Sequence, residues 1–123
     1  MFQFLFLITA IAMVLLDAVY LNLVKGYASS VVQKVQNTPI KINYVGALIC
    51  YIFLVAGLNY FIIKPNRSVS DAFLLGIVIY GVYETTNLAI FTNWSWLMAV
   101  IDTLWGGILF ALTTFIVKAI RKL

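Results

Sequence analysis

Four long, mostly apolar stretches leave this chain few ways to fold. Phe2–Val24, Ile42–Ile63, Ala72–Phe91 and Trp94–Val117 each reach the roughly 20 residues that an α-helix needs to cross the hydrocarbon of a bilayer. Lipid offers backbone amides no hydrogen-bond partner, so stretches of this kind satisfy them internally, as helices. The expected architecture is all-α: residues 1–123 as a single four-span membrane domain, a four-helix transmembrane bundle with both termini on the same side. A cleaved leader is the rival reading of the first stretch, and Ala10 with Ala12 imitates a cleavage site. It is disfavoured because no basic residue precedes the stretch and because the apolar part of a leader runs only about 7 to 15 residues.

Composition then removes several functions. Charged residues are 10% of the chain, against about 25% in soluble domains, and mean hydropathy is +1.07. The net charge of +4 does not point to nucleic acid, because Lys25, Lys34, Lys41, Lys64, Arg67, Lys118, Arg121 and Lys122 all lie outside the apolar stretches. That is where membrane proteins keep positive charge, and the five basic residues on the side of the termini against three on the other place the termini in the cytoplasm. One cysteine, Cys50, and no histidine leave no disulfide and no zinc set of the usual kind. No metal or cofactor is expected, and a retinal pigment is excluded because no stretch contains a lysine. Cys50 reads as a packed small side chain and Asn59 as an interhelical hydrogen bond.

The connections differ in length. Lys25–Lys41 reads as the one substantial loop, with Asn37, Thr38 and Pro39 as breakers and a short surface helix over Ser29–Val35. Lys64, Pro65, Asn66 and Arg67 stop the second stretch, and Ser70 with Asp71 offers an N-cap-like start for the third. A turn around Thr92 and Asn93 is short enough to make the last two helices an antiparallel hairpin. Tyr27, Tyr44, Trp94 and Trp96 read as anchors at the outer interface.

Three acids break the apolar pattern. Counted inward from the outer helix ends, Asp17, Glu84 and Asp102 lie about 10 to 12 Å deep at 1.5 Å per residue, so they share one layer. Cys50 and Tyr51 fall near it. Spacings of three and four put Ala72, Gly76, Tyr80, Tyr83, Glu84 and Asn87 on one face of the third helix, and Ser95, Ala99, Asp102, Gly106 and Thr113 on one face of the fourth. On the first, Gln3, Ala10, Asp17 and Tyr20 make the corresponding stripe. A carboxylate in such a place costs roughly 2.5 to 3.5 kcal/mol, so the stripes are expected to face one another or a subunit partner. With no basic side chain in any stretch, the available donors are neutral: Tyr20, Tyr80, Tyr83, Asn22, Asn87, Trp105 and nearby threonines. Desolvation and mutual repulsion then favour shared or retained protons.

The segment YGVYETTNLAIFTNWSWLMAVIDTLWGG, an aromatic-rich Y-x-x-Y-[DE]-x-T-N-L block followed by D-x-x-W-G, resembles a bacterial family of predicted membrane proteins catalogued as domain of unknown function 2177. The resemblance extends to Asp17 with Tyr20 and to Tyr44, Gly46 and Tyr51, with Glu84 standing where an aspartate is more usual. It implies a small four-span inner-membrane protein and assigns no activity. Three functions then fit the residues. The first is a proton- or cation-handling channel or transporter whose site is Asp17, Tyr20, Tyr80, Tyr83, Glu84, Asn87, Asp102 and Trp105, with membrane lipids around it and a homodimer to enclose the pathway. The second is a lipid-site enzyme or accessory subunit, against which stands the lack of a nucleophile with its base, a metal set or a phosphate loop. The third is a structural membrane scaffold in which the acids only join helices.

Overall fold

The computed structural model describes residues 2–122, Phe2 by its backbone alone; Met1 and Leu123 of the expected domain lie outside the described residues. Its helices are α1 (Phe2–Gln36), α2 (Tyr44–Leu58), α3 (Val69–Ile90) and α4 (Trp96–Arg121). All four, with α2 taken through Ile63, are long and apolar enough to cross a membrane.

The long loop expected after Val24 is absent, because α1 continues unbroken to Gln36. Its 35 residues span about 52 Å at 1.5 Å per residue, well beyond a hydrocarbon core of about 30 Å. Lys25–Gln36 contains no proline, and its Ala28, Val31 and Val35 continue from Val24 at helical spacing. Val31 is buried. The overhang lies against the α3–α4 connection: Asn93 Nδ2 donates to Lys34 O at 3.2 Å, and the Tyr27 hydroxyl pairs with that of Ser95. Asn37 ends the helix in the left-handed conformation at φ 61°, its N–H bonded to Gln33 O, as helix C-termini commonly do.

Further boundaries differ from expectation for local reasons. Ser68, not Ser70, caps α3, its hydroxyl accepting from the Asp71 N–H at 3.0 Å. Ser95 caps α4 in the same way through Met98 N–H, so Trp94 precedes the helix rather than opening it. Beyond Leu58 the second helix widens into one π-helical turn, Asn59–Ile63, with Lys64 N–H reaching back to Asn59 O. Asn59 Nδ2 donates to Val55 O at 2.9 Å; its amide serves its own helix, not a neighbouring one, and such inserted bonds accompany local widening. Cys50, expected to be packed, is exposed.

Packing is uneven. α3 and α4 lie together along their length, α4 also contacts α1, and α2 touches α1 but makes almost no contact with α3. Glycine decides the first pairing: a Cβ on Gly76 would stand 2.1 Å from Gly106 O, and one on Gly106 would stand 2.2 Å from Tyr80 Cγ. Where lipid is as apolar as the side chains, such close approach is a main source of helix adhesion. Leu5, Met13, Leu58, Ile63, Leu109, Phe110 and Val117 fill the core on the side away from the α3–α4 turn. At that end Phe6 shares a cleft with Lys64, and Arg121 donates to Ile63 O and Asn66 Oδ1, so residues near both chain ends reach the α2–α3 corner.

Candidate functional site

The site is built from two copies of a short pattern. Asp17-Ala-Val-Tyr20 in α1 and Asp102-Thr-Leu-Trp105 in α4 each put an aromatic ring three residues after an acid, on the same helix face. The helices run in opposite directions there, so the patterns interlock: Trp105 Nε1–H donates to Asp17 Oδ1 at 2.8 Å, and the Tyr20 hydroxyl donates to Asp102 Oδ1 at 3.2 Å. Between these bonds the two rings stack, with centroids 4.7 Å apart and planes 7° from parallel. Each acid is served by the other helix.

The remaining helices close the layer. The Tyr51 hydroxyl of α2 donates to Asp17 Oδ2, the second oxygen of that carboxyl group. Glu84 of α3 is only 1% exposed and accepts at Oε1 from the Trp94 indole at 2.7 Å. Tyr51, Asp17, the Tyr20–Trp105 stack and Asp102 therefore form one connected polar chain across α2, α1 and α4, and the Glu84–Trp94 bond adds a second polar group on the α3–α4 hairpin. Among the described residues none of the three acids forms an ion pair.

The expected residues divide accordingly. Asp17, Tyr20, Glu84, Asp102 and Trp105 come together. Tyr80 lies beside the layer with its ring edge-on to Phe110 at 6.4 Å and bonds no acid. Tyr83 leaves the α3 stripe, 58% exposed, because it precedes Glu84 by one residue and so points about 100° round the helix. Asn87 is buried, and its Nδ2 has no partner among the described residues; Asn22 is exposed. The α1 stripe is also different, with Gln3 exposed and the buried row running Leu5, Thr9, Met13, Asp17. Each step of four advances about 40° round a straight helix, so the buried row winds about α1 instead of keeping to the face of Gln3.

Two donors escaped the sequence reading. Trp94, read as an interfacial anchor, folds back over the end of α3 to Glu84, and Tyr51, read only as near the layer, holds Asp17. The signal for Trp94 was a tryptophan one residue past a tight turn, above a buried acid on the same hairpin. Beside the layer, between α2 and α3, opens a cleft of about 500 Å³ with Asp102 in its wall. On the other side Met13, Leu109 and Phe110, all fully buried, close the bundle; Thr9 there turns its hydroxyl to Leu5 O at 2.7 Å.

Four apolar helices around carboxyl groups bonded to neutral donors define a membrane protein. The family model described as Predicted membrane protein (DUF2177) matches residues 2–118, and the chain belongs to that family. Comparison with curated proteins and with solved structures returns no match.

Proposed function

We propose that this protein binds and releases protons at Glu84 and Asp102 and couples that exchange to transport. The observation that carries the reading is that Asp17, Glu84 and Asp102 take their hydrogen bonds from tyrosine hydroxyls and indoles alone: carboxyl groups removed from water with no positive partner relieve the cost of charge by sharing or retaining a proton. No basic side chain competes for that proton, and the Tyr20 hydroxyl, which can donate and accept, touches Asp102. The apolar closure at Met13, Leu109 and Phe110 favours a transporter over an open channel. With the termini in the cytoplasm, as the basic residues suggest, the layer lies in the outer half of the bilayer. A second copy of so small a chain, forming a homodimer, completes the enclosure of a pathway.

Proton flux into proteoliposomes, followed with a trapped pH-sensitive dye under imposed pH and cation gradients, tests this. Wild type is expected to conduct and Glu84→Gln, which keeps an acceptor for Trp94, to be folded and silent. Absence of flux in wild type under every gradient, or equal flux in both proteins, rejects the proposal.

A further inference from the structure

We infer that the cleft between α2 and α3 is a binding site for a lipophilic organic monocation entering from the bilayer. The cleft exists because α3 is zipped to α4 through glycine while α2 barely meets α3. Phe53 and Tyr83, 73% and 58% exposed, flank its mouth, so the opening faces hydrocarbon. Its volume of about 500 Å³ lies within the roughly 300 to 1,000 Å³ usual for small-molecule sites.

Charge and wall chemistry select the occupant. Asp102 is the acid in the wall, and among the described residues it has no ion-paired base. Phe53, Tyr80 and Tyr83 add aromatic rings, whose faces attract organic cations, and Leu54 and Ile79 add apolar surface. An anion meets the Asp102 carboxyl group there and no positive side chain. An inorganic cation gains nothing from apolar walls, and the described residues contain no group of three side chains suited to a metal. A positive head carried on apolar substituents matches both the acid and the walls. This inference rests on the carboxyl groups of the proton reading and supplies its substrate class, the cation and the proton exchanging at Asp102.

Equilibrium binding of tetraphenylphosphonium to the purified full-length protein in nanodiscs tests the site. Saturable binding is expected, weakened about tenfold or more in Asp102→Asn and equally in Ile79→Trp, which fills the cleft without touching a carboxyl group. Asp71→Asn, outside the cleft, should bind as wild type, and tetraphenylborate, an anion of the same shape, should not compete. Wild-type binding in both Asp102→Asn and Ile79→Trp, equal binding of tetraphenylborate, or no saturable binding at all overturns the assignment. Saturable, Asp102-dependent binding without proton flux in liposomes supports the site and rejects the proton reading; flux without binding rejects the site alone.

Discussion

The two ends of the bundle hold together by different means. Away from the α3–α4 turn, Leu5, Met13, Leu58, Ile63, Leu109, Phe110 and Val117 meet through methyl groups and rings, and Gly76 lets α3 touch the α4 backbone. Nearer the turn, the contacts are directional: two indoles and two tyrosine hydroxyls aimed at three carboxyl groups. Shape complementarity tolerates no added atom but asks for no particular chemistry. The polar layer can lose a bond and still pack, yet it depends on which atoms are donors. Stability should therefore be concentrated in the first region and function in the second.

The sharpest way to break that contrast is Gly76→Ala. Its new methyl group collides with the Gly106 carbonyl oxygen, a backbone atom that cannot swing aside, so a loss of about 3 kcal/mol is expected, read by denaturant titration in mixed micelles. A loss below about 1 kcal/mol would show that the helix pair has slack. Next comes Asp17→Ala, which orphans Tyr51 and Trp105 together. At about 0.6 kcal/mol per interhelical hydrogen bond, and at most about 1.7, it should cost about 1 to 2 kcal/mol in the same titration. The smallest effect belongs to Tyr20→Phe, which keeps the stack on Trp105 and removes one bond, about 0.6 kcal/mol. Should it cost as much as Gly76→Ala, the division between the ends fails. If the proton reading holds, the same change slows flux far more than it lowers stability.

Much of this was legible in the chain. Apolar length alone announces four helices, and counting from the outer ends of the apolar stretches, not of the helices, brings Asp17, Glu84 and Asp102 to one depth, since rise per residue is the same in every helix. Direction was harder to read. Ala72, Gly76, Glu84 and Asn87 do share the buried face of α3, but Tyr83 and Gln3, assigned by the same spacing rule, point outward. Periodicity locates a stripe to within about one residue, and one residue is about 100°. The run after Val24 was misread because polar residues were taken as loop, when the valines beneath them kept helical period.

The amino-acid order by itself determined that the chain must be helical, that its acids would have no basic neighbour within the apolar stretches, and that those acids lie in one layer, because all three follow from composition and a fixed helical rise. Only the tertiary structure decided which donor serves which acid, that Trp94 turns inward, and that α2 stands off from α3 to leave a cleft. Those outcomes depend on the rotation of each helix about its axis and on the distance between axes, which are set by contacts between residues far apart in the chain.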